Sequence, residues 1–273
     1  MTILKLQEIS PTQLAEAADA NFVCHASWAH QRTPGMTVLD DERLFIADSG
    51  LPCDTFNIIA RARLSAETAP MRIEAALAYF RQVRRPFSWW VGPADRPETL
   101  GALLIAAGLE EAETEVAMAT DLTMLPVHDP TPAGLTIRRA RTPQVLKDFA
   151  QIMAANWTPP DPAVLDFYTQ TAAVLLAADS PQWFYVGYWA GEAVAVAELT
   201  FSGGVVGLYS ICTLENYRQR GFGTALTLCP LLDAQAAGYR VGVLQAAGVQ
   251  GMRIYARLGF RQFGQIAEYK PPA

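Results

Sequence analysis

The chain has 273 residues, of which 51% are hydrophobic and only 18% charged, and this balance excludes a mostly disordered protein. Its formal net charge of −6 provides no basic surface for a phosphate backbone, so nucleic acid is not an expected partner. No apolar run reaches the roughly 18 residues of a membrane span and no targeting signal is visible, so we expect a cytoplasmic protein without a membrane partner.

The first half shows a short series of alternating elements. Strand-like segments at 57–60 and 87–91 are each followed by a helical pattern, at 71–81 and 100–107, and Gly108 and Leu109 form a turn. Pro126, Pro130 and Pro132 then fall within seven residues and cannot continue a helix or a central strand. We therefore predict two domains, residues 1–130 and 131–273.

The second half has a longer and clearer pattern. Its predicted order is β-α-α-β-β-β-α-β-α-β, in which the three consecutive strands form an antiparallel meander. This order predicts an α/β fold with a mixed sheet and helices on its faces. The predicted elements are residues 135–139, 142–156, 163–178, 183–188, 193–201, 205–213, a helix that follows the turn at 218–224 and runs to about 237, 241–245, 250–258 and a final strand.

One motif in this half indicates chemistry. Arg218-x-x-Gly221-x-Gly223 stands between a strand and a helix, where backbone N–H groups lack intrahelical partners and the helix dipole is positive. Glycine lets phosphate oxygens approach the backbone, and Arg218 and Arg220 add positive charge. The turn is suited to a pyrophosphate, although a glycine-rich turn without a ligand has the same spacing. It fits neither a Rossmann nor a P-loop motif.

Together with Tyr255-x-x-x-Gly259-Phe260 about 35 residues later, this motif resembles the GNAT superfamily of N-acetyltransferases over residues 135–270. The resemblance implies an acyl-CoA-dependent N-acyltransferase. Its co-substrate would be acetyl-CoA or another acyl-CoA, its acceptor a small-molecule amine, and no metal would take part. An acyl-CoA-binding regulatory module without catalysis and a protein N-acetyltransferase remain alternatives, and the oligomeric state is not predicted.

The resemblance also implies a cofactor site. In the family, the strand before the glycine turn is splayed from its neighbour and pairs with the pantetheine arm, which here implicates Ile211, Cys212 and Thr213. The strand ending at Gln245 and the helix with Met252 and Tyr255 would form the other wall. Ala246-Ala247-Gly248 stands where the family often has Asn or Ser. The residues implied to hold the pyrophosphate are Arg218, Gln219, Arg220, Gly221, Phe222, Gly223 and Thr224.

The first half resembles a second copy of this arrangement without its chemistry. Ile59 precedes Gly108 by 49 positions, and Ile211 precedes Gly259 by 48. Residues 65–70 replace the glycine turn, and Glu67 among them would repel a phosphate. Leu104 stands where Tyr255 stands. We predict a degenerate GNAT-like domain that walls the acceptor site and covers the sheet, with an unrelated α/β domain as the alternative.

Acyl transfer needs a proton for the departing thiolate and a base for the amine. Tyr255 is the candidate proton donor, with a core tyrosine as the alternative. The three histidines all precede the second domain, so the usual proton acceptor is absent from the catalytic half. Glu198 is the candidate base, with a solvated residue near a strand end as the alternative, and Glu215 is a weaker candidate.

The acceptor is expected to enter over the break between the two helices that follow the first strand of the second half. Aromatic and acidic side chains there would recognise a cationic or aromatic amine, although such aromatic residues also occur in cores. The candidates are Trp157, Asp161, Asp166 and Tyr168.

Overall fold

The computed structural model describes residues 2–126 and 131–272, so residues 127–130 of the predicted linker lie outside the described residues. Capping residues define the start of the first helix, because Ser10 and Gln13 form a reciprocal capping box and Pro11 occupies the first turn. The elements of the first half are α1 (Pro11–Ser27), β1 (Thr37–Asp40), β2 (Phe45–Asp48), β3 (Ile58–Ala60), α2 (Ala69–Val83), β4 (Ser88–Val91), α3 (Leu100–Ala106) and β5 (Glu110–Asp121).

The second half has the predicted order of strands and helices, so the mixed α/β fold is confirmed. Each helix of the break has its own cap, Thr142 for the first and Asp161 for the second. The elements of this half are β6 (Leu135–Arg139), α4 (Pro143–Ala154), α5 (Pro162–Leu175), β7 (Gln182–Trp189), β8 (Glu192–Ser202), β9 (Val205–Thr213), α6 (Phe222–Ala236), β10 (Val241–Ala246), α7 (Gly248–Arg257) and β11 (Arg261–Lys270).

A single sheet runs through both halves, in the order β1-β2-β3-β4-β11-β5-β10-β9-β8-β7-β6. The last strand of each half is exchanged: β11 pairs with β4 of the first half, and β5 pairs with β10 of the second. The two exchanged strands also pair with each other, antiparallel, at the centre of the sheet. The halves are therefore interleaved by hydrogen bonding, and the domain boundary near residue 130 stays a prediction.

The exchanged strands bring acidic side chains together. Burial, followed by the nearby carboxylates of Glu113 and Glu268, raises the pKa of Glu115 from 4.5 to about 7. The folded chain thus keeps this proton up to about pH 7, whereas the unfolded chain releases it near its ordinary value. Ionisation of Glu115 consequently destabilises the fold as the pH rises from about 4.5 through 7.

We expect Glu115→Gln to raise the free energy of unfolding by about 1–3 kcal/mol at pH 8 and to change it little at pH 4. Denaturant unfolding at both pH values measures the difference. The matched control is Glu110→Gln, which removes a charge from an exposed position of the same strand. Equal effects of Glu115→Gln at the two pH values would contradict the assignment.

The helices cover both faces of the sheet, and α1 spans the two halves on one of them. Near its start, Leu14 packs in a cluster with Val205 and Val243 of the second half. Near its end, Val23 packs in a cluster with Phe45 of the first half. The neighbouring residue of β10, Leu244, points to the opposite face, where it joins the cluster formed by α6 and α7.

A buried asparagine fixes α1 on the β8–β9 hairpin. The Asn21 side chain is inaccessible to solvent, donates to the carbonyls of Thr200 (2.9 Å) and Ser202 (3.0 Å), and accepts from the Tyr209 hydroxyl (2.8 Å). Gly207 permits this approach, because a Cβ at that position would lie 2.0 Å from Asn21 Oδ1. The first half is thereby held directly against the strands of the predicted site.

Candidate active site

Strands β9 and β10 part near their ends. Their parallel pairing stops at Leu208 and Leu244, whereas β9 continues to Thr213 and β10 to Ala246. A β-bulge lies just beyond this point, where Ser210 has a φ of 54° and the register with β8 shifts. The geometry matches the predicted splay, and pairing of Ile211 to Thr213 with a pantetheine arm stays a prediction.

The turn before α6 presents a row of backbone donors. Within the described parts of the chain, the N–H groups of residues 219–224 have no protein acceptor. Gln219 and Gly221 have φ values of 62° and 81°, and buried Phe222 anchors the start of the helix. Such a turn is equipped to bind an anion.

Neighbouring residues enclose this turn on two sides. A Cβ built on Gly223 would lie 3.9 Å from Thr213 Oγ1 and 4.0 Å from Ile254 Cδ1, so the turn meets the end of β9 and helix α7 here. Arg218 donates from Nε to the Thr213 carbonyl (3.1 Å), and the Arg220 guanidinium lies 5.1 Å from the Trp189 ring. Both arginines are exposed beside the turn.

The corresponding turn of the first half satisfies three of its N–H groups internally, those of Ser65, Thr68 and Ala69. Ser65 N donates to Thr68 Oγ1 and Thr68 N donates to Ser65 Oγ, both at 3.2 Å. Leu104, at the position that corresponds to Tyr255, is completely buried. These contacts leave this turn without the row of free N–H groups, as expected for a degenerate copy.

Tyr255 lies on α7 and is 9% exposed, with its ring packed edge-on against Phe260. Burial, and then the Glu115 carboxylate, raises the pKa of Tyr255 to about 12. No residue in the described ranges hydrogen-bonds its hydroxyl, which is not sealed from solvent. Ile211 and Met252 pack against the same apolar cluster, so the structure brings these three predicted residues together. Their roles stay predictions.

Glu198 is not a solvated residue near a strand end, because it is 1% exposed. Its Oε1 accepts hydrogen bonds from Gln182 Nε2 (2.9 Å) and Thr200 Oγ1 (3.0 Å), and Ser210 Oγ lies 3.4 Å from Oε2. Burial of a carboxylate is favourable only with such partners. Because Ser210 belongs to the β-bulge, its contact with Oε2 places the carboxyl group next to the bulge at the splay.

The structure also places a histidine at this carboxylate, which corrects the expectation that the site lacks one. His25 Nδ1 lies 2.8 Å from Glu198 Oε1, and the imidazole stacks on the Tyr209 ring at 4.0 Å. Sequence reasoning missed His25 because 173 residues separate it from Glu198. The available signal was Asn21 and His25, four positions apart on one face of an alanine-rich helix. His128 lies outside the described residues.

Of the four predicted acceptor residues, Tyr168 alone approaches Glu198 and Ser210, and burial raises its pKa well above the usual range. Asp161 instead caps α5 through the Ala163 N–H (2.8 Å) and accepts from Cys53 Sγ. Trp157 is 38% exposed, and Asp166 lies on the exposed side of α5. These positions do not converge on one pocket.

A cavity between the halves adjoins the splay. The cavity is small, about 40 Å³, with a mostly apolar lining and part of it open to solvent. Phe22 of α1 and Trp90 of β4 line it from the first half, and Tyr209 and Gln245 line it from the second. Gln245 and Tyr209 are the first residues beyond the last β9–β10 pair, so the cavity reaches the point where the strands part.

Two further properties bear on the class of protein. Among the described residues, no group of three or more His, Cys, Asp or Glu side chains is placed to hold a metal ion. The same residues include no helix with the length and apolarity needed to cross a bilayer.

A mixed sheet with two parted strands, followed by an anion-binding turn at a helix start, is an acetyltransferase-like architecture. Residues 144–260 match the model of the acetyltransferase (GNAT) family. No protein of curated function is significantly similar to the chain in sequence.

Solved structures support the same fold over nearly the whole chain. A GCN5-related N-acetyltransferase from Kribbella flavida has a TM-score of 0.69 at 18% identity, covering 93% of this chain and 96% of its own. A tandem GNAT protein from the clavulanic acid biosynthesis pathway has a TM-score of 0.59 at 14% identity, covering 100% and 98%. A GCN5-related N-acetyltransferase from Sphaerobacter thermophilus gives 0.59 at 13%, covering 96% and 93%. At these identities the likeness shows the fold, including its tandem form.

Proposed function

We propose that the chain is an N-acyltransferase that moves an acetyl group from acetyl-CoA to the amine of a small molecule. The observation that carries the proposal is the row of unpartnered N–H groups at residues 219–224, directly after a strand that has parted from its neighbour. The match of residues 144–260 to the GNAT family supports acyl transfer in general. A small acceptor is favoured because α1 of the first half covers the sheet beside the splay and leaves a small, partly open cavity there.

In this proposal, acyl-CoA supplies the activated carbonyl carbon. The turn binds the pyrophosphate through backbone N–H groups, and the free edge of β9 at Ile211 to Thr213 pairs with the pantetheine arm. The amine nitrogen attacks the thioester carbon, the C–N bond forms, and the C–S bond breaks. Tyr255 donates its hydroxyl proton to the departing sulfur, and the amine nitrogen loses a proton to a base. The products are an amide and free CoA thiol.

Of the two corresponding turns, residues 65–70 and 219–224, the second alone has a row of six N–H groups without an acceptor among the described residues, so we expect one acetyl-CoA per chain. Calorimetric titration of the full chain measures this stoichiometry directly. Thiol release from acetyl-CoA across a panel of small amines then tests turnover. Two equivalent binding sites would contradict the degenerate first half, and an absence of acetyl-CoA binding would remove the proposed function.

A further inference from the structure

We propose that the first half supplies the general base of the reaction: His25 Nε2 accepts the proton of the acceptor amine, and Glu198 is its positioning residue. The inference rests on the proposed acyl transfer and adds a catalytic residue from outside the GNAT-matched segment. It replaces Glu198 as the group that takes the proton directly.

The hydrogen bonds define which imidazole nitrogen is free. Glu198 Oε1 already accepts from Gln182 and Thr200, and in the proposed arrangement it also accepts from a protonated His25 Nδ1, 2.8 Å away. In the neutral imidazole, Nε2 is then an acceptor with a lone pair. None of the described residues hydrogen-bonds Nε2, and the side chain is 22% exposed. Glu198, at 1% exposed and bound by further donors, is much less accessible to an amine.

Three contacts hold the imidazole in place. Its ring lies parallel to Tyr209, with an interplanar angle of 10°. Gln182 Nε2 bridges the His25 carbonyl (3.2 Å) and the Glu198 carboxylate (2.9 Å). Four residues earlier on the same helix, Asn21 ties α1 to the β8–β9 hairpin. A general base needs this kind of fixed orientation, which places it within hydrogen-bond reach of its proton.

The position of His25 fits the expected site of the amine. Tyr209, on which it stacks, begins the part of β9 that has left β10, and Ser210 of the bulge contacts Glu198. The ring also lies 6.2 Å from Phe22, which lines the cavity between the halves. In this proposal the amine approaches the splay from the side of the cavity, where Phe22 and Tyr209 lie between the cavity and the imidazole.

The neighbouring titratable groups do not change charge near neutral pH. Burial raises the pKa values of Tyr168 and Tyr209 well above their usual range, and it also raises the pKa of Cys24. Burial lowers the pKa of His30 to about 4. The charged groups nearby are Glu198 on β8, Arg32, which acts on Cys24, and Asp19, which acts on Tyr209. A loss of rate toward acidic pH, the acidic limb of the profile, is the behaviour expected of a histidine that acts as a general base.

The test measures thiol release from acetyl-CoA with 2-phenylethylamine, a small primary amine whose phenyl ring matches the apolar lining, and with water alone. We expect His25→Gln to lower kcat by roughly 10²–10⁴-fold and to remove the acidic limb, with the acetyl-CoA Kd within about threefold. Added imidazole should restore part of the activity of His25→Ala. Glu198→Gln should lower kcat and shift the limb. His30→Gln is the matched control and should keep the wild-type profile at comparable thermal stability.

A second readout does not depend on turnover. Nitrogen NMR of the imidazole should show a protonated Nδ1 and an unprotonated Nε2 in the wild-type chain, and Glu198→Gln should disturb this preference. A protonated Nε2, or an acidic limb that survives His25→Gln, would overturn the proposal. Wild-type protein that never binds acetyl-CoA would instead refute the proposed function, and the NMR result would still decide the state of His25.

Discussion

Tyr255→Phe is expected to lower turnover by roughly 10²–10⁴-fold while the acetyl-CoA Kd stays within about threefold. The hydroxyl would stabilise the thiolate only as the C–S bond breaks, so its removal affects the transition state more than the ground state. The pKa of about 12 keeps the proton on the oxygen across the working pH range. Steady-state kinetics and calorimetry on one preparation separate the two effects.

The matched control is Tyr239→Phe. The Tyr239 hydroxyl also lacks a hydrogen bond to the described residues, but its ring packs against Phe201, away from α7. It should leave turnover unchanged. The experiment also separates an enzyme from a regulatory acyl-CoA-binding module. Unchanged turnover of Tyr255→Phe with a saturating acceptor would make Tyr255 a core residue and leave solvent to protonate the thiolate.

Gly223→Ala should raise the acetyl-CoA Kd by roughly 10²-fold or more, because the methyl group would displace phosphate oxygens from at least two charge-assisted N–H donors. The folded chain itself has room for this methyl, since its nearest neighbours would lie 3.9 and 4.0 Å away. The φ of Gly223 is also not positive, so its backbone conformation does not require glycine. We therefore expect an almost unchanged melting temperature, measured beside the affinity.

Two other glycines serve as controls for this substitution. Gly92→Ala adds a methyl with similar room in the first half, where Asp95 Oδ2 lies 3.8 Å away, and should leave both quantities unchanged. Gly221→Ala should lose stability as well as affinity, because Gly221 has a φ of 81° and Pro132 would lie 3.2 Å from the new Cβ. Wild-type affinity in Gly223→Ala would show that the turn is merely structural.

Much of the second half was predictable because its elements have local causes. Strand alternation, the helix caps at Thr142 and Asp161, and the glycines of the turn act over a few residues. The degenerate turn of the first half was predictable for the same reason. In each of these cases the sequence carries the interaction within a short window.

The sheet partners and the base were not predictable from such windows. No strand was predicted over β5, and the final strand of the second half was predicted without a partner, so the pairing of each across to the other half was not foreseen. The contact of His25 with Glu198 depends on how α1 docks on the β8–β9 hairpin. That docking requires Asn21 of the first half and Gly207 of the second, which are far apart in the sequence. The hydrogen-bond partners of Glu198 could not be predicted from the sequence, because they follow from its buried position in the folded chain.

Because β5 and β11 are interleaved, the peptide connection between the halves sets the effective concentration at which each half meets the other. Each half, made as a separate polypeptide, would expose an unpaired sheet edge and offer its own last strand to the other piece. Assembly would then become bimolecular, and activity would rise with the concentration of both pieces, whereas the joined chain keeps a constant effective concentration. Such a pair would work as a complementation system, because neither fragment holds both His25 and Tyr255.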